Sequence, residues 1–299
     1  MKRNIFDIVN SQKMPLLEVQ RIDTLIKKSI GVYVADEPFS ILSKGTPVSV
    51  IKYVDDKLFM TWKRRGTCIN CKDFERTIGI DVLPQADTEL SNDFILYYCE
   101  YAANMLFLLK EKIAAEDKIT DAIPAAEENI KRFLGWYNYE LKYFPEREQV
   151  LVTAKNAAAT VVAESVDNQS LAYCIVEYNH HLLKGNVERK KEILLTMGAD
   201  LEPRRKEIEE MNKALASRTF FLLNNMDIRH NNRTKGDKNY VEKVARMKKG
   251  TLEKWYDKTY QLMLTAYMVL NSKEVLKDAE VLTSQIKASG KEIRENGGV

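Results

Sequence analysis

From Leu16 to Ser29 the apolar residues Leu16, Val19, Ile22, Leu25 and Ile26 fall three and four apart, the spacing of one face of a short amphipathic helix. The pattern then changes. Two β-branched and aromatic runs, Val48–Val54 and Lys57–Trp62, flank Asp55-Asp56 and predict a β-hairpin. A second hairpin is expected over Tyr137–Ala154, where Tyr139, Leu141 and Tyr143 alternate with polar neighbours before the turn residues Pro145–Glu148. A helix over Tyr137–Phe144 is the alternative there, because short runs fit both periods. Between the hairpins, Asp93–Glu116 carries a broad apolar stripe for a central buried helix, and Ala125–Leu134 continues as helix behind Pro124.

The rest of the chain reads as helix. Helices are predicted over Ala157–Val166, Asn168–Lys184 (stopped by Gly185), Val187–Met197 (stopped by Gly198) and Glu202 to about Arg229, with Lys249–Asn271 and Lys273–Ala288 closing the fold. The expected fold class is therefore α+β and predominantly α-helical. A mixed N-terminal region (1–167) would precede a helical bundle (168–288) and a loose tail (289–299).

Composition narrows this little. The 299 residues are 45% hydrophobic and 30% charged, an ordinary globular balance, with 46 basic and 43 acidic side chains giving net +3. Any polyanion-binding surface must then be local. No segment reads as a signal peptide, and the longest apolar stretch, Phe94–Leu109, is interrupted by Glu100. A chain off the membrane, in the cytoplasm with reduced thiols, is the expectation.

Few motifs carry chemistry. GxxxxGK[ST], GxGxxG after a strand, GxSxG and HExxH are all missing, so no cofactor is expected. Cys68-Ile69-Asn70-Cys71 has the spacing of a thiol or zinc half-site but lacks a second pair, and no metal is expected there. His180 and His181, late in a predicted helix, point about 100° apart and cannot chelate jointly; a helix-end position near free carbonyls accounts for them.

The segment Asn225-Met226-Asp227-Ile228-Arg229-His230-Asn231-Asn232-Arg233 is richer. Arg229 offers a planar fork for phosphate, and His230, placed in the last turn of the predicted helix, can exchange a proton near neutral pH. Together they could serve metal-free RNA cleavage; the plainer account is a helix cap. From Arg229 to Lys249 eight basic residues face two acidic ones, net +6 against +3 for the whole chain. Asn225, Asn231, Asn232, Arg233, Lys235 and Lys238 are the candidate nucleic-acid contacts, with Tyr240, Trp255 and Tyr256 near enough in sequence to stack on bases.

The helical half, through Tyr178–Gly185 and Ile228–Asn232, distantly resembles the HEPN-like domains of bacterial abortive-infection and toxin systems. The resemblance implies a compact helical bundle, frequently dimeric, and metal-independent ribonuclease activity built on an Arg, a polar residue and a later His. Arg229-His230 matches the opening of that motif, but no histidine follows His230. Either His230 takes that role or the domain binds without cutting. The leading expectation is an RNA-binding protein of defence type, with ribonuclease activity left open and a homodimer as one assembly. The alternative is a non-catalytic interaction or dimerisation module, and a third reading puts thiol or metal chemistry at Cys68 and Cys71.

Overall fold

The computed structural model describes residues 15–35, 45–83 and 90–296, the side chains of Glu274 and 288–296 excepted. The expectation for the extreme N-terminus lies outside the described residues. The chain divides into two compact units, Met1–Lys155 and Asn156–Val299, so the boundary falls before the Ala157 helix rather than at Asn168.

The first unit is built around one helix. Helix α1 (Pro15–Lys27) packs Val19, Ile22 and Ile26 into the core, as its spacing predicts. Strand β1 (Val32–Val34) pairs antiparallel with β2 (Thr46–Val48), Val32 opposite Val48, and with β3 (Lys118–Ile119). Helices α2 (Cys71–Thr77), α3 (Asn92–Lys112) and α4 (Ala122–Trp136) follow. Ser91 caps α3, its hydroxyl accepting from the Phe94 amide at 3.1 Å. Most of α3 is buried, which explains its near-continuous apolar run.

The predicted hairpin over Val48–Trp62 does not form. Only Val48 belongs to a strand; Val50–Tyr53 is one α-turn, Val54–Leu58 a π-turn and Phe59–Thr61 a 3₁₀ turn. The buried residues Val50, Tyr53, Val54 and Leu58 are spaced for a helix, a pattern that short β-branched runs also fit when read in twos. The two aspartates do helix work. Asp56 pairs with Lys52 one turn earlier at 2.8 Å, and Asp55 accepts the Cys71 amide at 2.7 Å.

The second hairpin is present. Strand β4 (Tyr139–Phe144) pairs antiparallel with β5 (Gln149–Ala154) through a Pro145–Arg147 turn, with Glu148 in the left-handed region at φ 49°. Two polar residues of α3, one turn apart, meet alternate residues of β5. The Asn104 amide donates to the Val150 carbonyl at 2.8 Å and accepts its N–H at 2.9 Å, and Glu100 accepts the Val152 N–H at 2.8 Å. Glu100, the interruption in the apolar stretch, thus answers a backbone donor.

The buried carboxylates here are paired. Tyr98 donates to Asp23 at 2.5 Å and Tyr101 to Glu75 at 2.7 Å, while the Lys27 ammonium lies 3.0 Å from both carboxylates. On α4, burial works to raise the Glu127 carboxyl, but Lys110, Lys131 and Tyr143 all donate to it and hold it at about 2. A depressed carboxyl stabilises fully above its unfolded value, near 4.5, and loses that contribution as pH falls toward 2. Thermal melts of Glu127→Gln and the parent should therefore differ at pH 6, with the gap shrinking by roughly half or more at pH 3. An unchanged gap would contradict the pairing.

In the second unit, asparagines start four helices: α5 (Ala157–Ser165), α6 (Gln169–Glu177), α7 (Val187–Leu201) and α9 (Lys213–Asn225). Asn156, Asn168, Asn186 and Asn212 accept the amides of Ala159, Leu171, Arg189 and Leu215 at 2.9–3.1 Å. Asn212 is also why the single helix expected over 202–229 is broken. A 3₁₀ turn at 202–204 leads into α8 (Arg205–Met211), and the backbone leaves helical geometry at Asn212. Helix α6 ends at Glu177, not Lys184, and His181–Leu183 forms a 3₁₀ turn. Helix α7 runs through Gly198 to Leu201. That glycine is a close approach, where an added Cβ would meet both Leu223 methyls at 3.1–3.2 Å. The last two predicted helices are one, α10 (Lys249–Asn296), which takes in most of the tail expected to be loose. No β-strand occurs among the described residues of this unit, and Leu194, Met197, Phe220, Leu223, Tyr260 and Met263 share its core.

Candidate functional site

Helix α9 ends on a reversal that decides where the candidate residues go. Asp227, just past the helix, takes φ 60°, and the Arg229 amide reaches back to the Leu223 carbonyl at 3.0 Å. His230 therefore lies outside the helix rather than in its last turn. Asp227 and Asn232 then clamp the loop. The Asp227 amide donates to Asn232 Oδ1 at 2.7 Å, and the Asn232 amide donates to Asp227 Oδ1 at 3.2 Å. Asn232 also gives its side-chain N–H to the Asn239 carbonyl at 2.7 Å and accepts the Val241 amide at 2.9 Å. Lys191 on α7 holds the other Asp227 oxygen at 3.0 Å. Asn232 is 1% exposed: its role is to hold residues 227–241 together.

Arg229 points into the protein. Its guanidinium pairs with Glu202, donates to the Gly198 carbonyl at 2.7 Å and lies 5.6 Å from the Phe220 ring centre. A cation against a carbonyl of the last turn of α7 is electrostatically favoured. His230, its neighbour in the chain, is exposed. Asn225 donates to the Phe221 carbonyl at 2.8 Å and lines a pocket of about 320 Å³ with Arg205, Lys213 and Phe220, a lining that includes neither Arg229 nor His230. The three residues are not gathered in that pocket.

What the loop presents is charge. Arg233, Lys235, Lys238, Lys243 and Lys248 are exposed around the clamp. Asn231 shapes the turn, accepting the Arg233 and Thr234 amides at 3.3 and 3.1 Å. Of the aromatic residues, Tyr256 is fully buried and cannot stack on a base, whereas Tyr240 and Trp255 are half-buried. His180 and His181 follow the end of α6 rather than sitting in its last turn.

At the other candidate, Cys68 and Cys71 are buried and unoxidised. Cys71 opens α2, a position that favours a thiolate, but burial dominates and pushes its thiol well up, with Asp55 adding to the rise. Its sulfur packs 3.9 Å from that of Met105. Neither feature assists redox or metal chemistry.

One feature went unread in the sequence. Between α9 and α10 lies an apolar groove of about 710 Å³, lined by Arg218, Phe221 and Leu222 on one side and Trp255, Lys258 and Leu262 on the other. Phe221 is 62% exposed. The doublets Phe220-Phe221 and Leu222-Leu223 were its trace: adjacent helical residues diverge by about 100°, so one of each pair had to leave the core. No protein-family model, curated protein or solved structure matches the chain.

Proposed function

We propose that the second unit binds single-stranded RNA through the basic loop 229–249 and does so without cutting it. One observation carries this reading. Arg229 and Asn232 are consumed in holding the loop, while His230, Arg233, Lys235 and Lys238 are exposed on it. A loop fixed in place loses little entropy on binding, and its lysines and arginines suit the phosphate backbone rather than individual bases. A ribonuclease of the HEPN-like kind would need its arginine available to the reacting phosphate, and here that arginine has an internal carboxylate. Arg233, Lys235 and Lys238 take the phosphate contacts in this reading.

Fluorescence anisotropy with a labelled single-stranded RNA, titrated across salt concentrations, tests it. Affinity should fall steeply with salt. Replacing Arg233, Lys235 and Lys238 together by alanine should reduce the log–log salt slope by about 2, three contacts at roughly 0.7 each. The RNA should be recovered intact. Binding that ignores salt would overturn the proposal, as would cleavage abolished by His230→Ala.

A protein-interaction module is the second reading. It is favoured by the groove between α9 and α10, where exposed Phe221 with Leu222, Trp255 and Leu262 suits an apolar partner surface.

A further inference from the structure

The groove between α9 and α10 has the proportions of a small-molecule site. Arg218, Phe221 and Leu222 share one face of α9, and Trp255, Lys258, Leu262 and Thr265, three and four apart, share one face of α10. A volume of about 710 Å³, with aromatic and aliphatic walls and a few polar side chains among them, suits an organic molecule.

Three charges line the groove, and they are not equivalent. Asp257 is answered from within the protein: Lys190 and Tyr178 both donate to its Oδ1, at 2.7 and 3.0 Å. Arg218 and Lys258 are exposed, and neither makes an ion pair among the described residues. Lys258 has the Trp255 ring, its ammonium 4.6 Å from the ring centre. The fork of Arg218 is left without an acceptor among those residues. An occupant that satisfies this surface has an apolar body for the rings and leucines and one anionic end for the fork.

We propose that the groove binds a single long-chain carboxylate, its carboxylate on Arg218 and its acyl chain along Phe221, Leu222, Trp255 and Leu262. The α10 face from Trp255 to Thr265 runs about 15 Å at 1.5 Å per residue, room for a chain of about a dozen carbons. Guanidinium and carboxylate meet through two parallel N–H···O bonds, which fixes the head. The chain supplies affinity without direction, each fully buried methylene adding about fourfold. This site does not draw on the basic loop 229–249 and stands without the RNA reading.

Trp255 supplies the signal. Tryptophan fluorescence of the full chain, titrated with dodecanoate below its micellar concentration, should change saturably. Trp255→Phe should remove that change, although Trp62 and Trp136 remain. Affinity should rise by about threefold or more from octanoate to decanoate, and again to dodecanoate. Arg218→Gln should weaken dodecanoate about tenfold and leave dodecan-1-ol as it was, because the alcohol brings no charge to the fork. Arg218 is exposed, so the variant should fold, and an unchanged circular dichroism spectrum verifies that. No saturable change up to ~1 mM dodecanoate would overturn the proposal. So would dodecan-1-ol or dodecyltrimethylammonium binding as tightly as dodecanoate, since the head would then count for nothing. A response to phosphatidylglycerol vesicles without one to free dodecanoate would also overturn it, marking a lipid surface as the partner.

Discussion

Replacing Lys190 by methionine is expected to lower the unfolding free energy by about 3 kcal/mol, the low end for removing one partner from a buried ion pair. Lys190 is 7% exposed. From α7 its ammonium reaches Glu253 at 2.9 Å and Asp257 at 2.7 Å on α10, over the face of Tyr178. Methionine keeps the apolar stem, so the loss isolates the charge. Glu253 is then left with its Gly185 amide and only the field of Lys249, in a site where burial already opposes its ionisation. Asp257 is half-exposed and can turn to water, which is why the lower figure applies. Urea unfolding measures the change, and adding Glu253→Gln to the lysine variant should recover part of it. A loss under about 1 kcal/mol would mean that water already reaches the triad.

Arg229→Ala and His230→Ala should separate just as sharply. The arginine variant loses an ion pair with Glu202, a hydrogen bond to the Gly198 carbonyl and its place against Phe220, together about 2–3 kcal/mol. The histidine variant should stay within about 0.5 kcal/mol, as surface substitutions usually do. If the loop binds RNA as proposed, Arg229→Ala should retain most of that affinity at a temperature where both variants remain folded. The opposite result, an unchanged melting curve with RNA affinity abolished, would return Arg229 to the phosphate.

The segment around Arg229 drew notice in the sequence because of its composition, and composition is what the structure kept: a basic, asparagine-rich loop after a helix. Direction was what sequence could not supply. Whether Arg229 faces solvent or Glu202 depends on the φ 60° turn at Asp227, on a glycine 31 residues earlier and on the break at Asn212. Each of these is a tertiary or single-residue event. Elements with one long periodic face, such as α1 and α3, and the alternating Tyr139–Ala154 hairpin were legible because burial and period reinforce each other. Val48–Trp62 was not, since its ten apolar and β-branched residues satisfy both periods and only the neighbours decide. Gly198 was misread as a stop because a glycine inside a helix looks the same in sequence whether it ends the helix or lets another one come close.

The reach of α3 onto β5 has a consequence beyond packing. A strand at the border of a two-stranded sheet offers unpaired N–H and C=O groups to any extended chain that passes, the usual template for aggregation. Here Asn104 occupies both groups of Val150, and Glu100 occupies the next outward donor, at Val152. A third strand could not be added along that border without first displacing two side chains of a buried helix. Two polar positions on an otherwise apolar helix thereby guard the hairpin against recruitment by other chains.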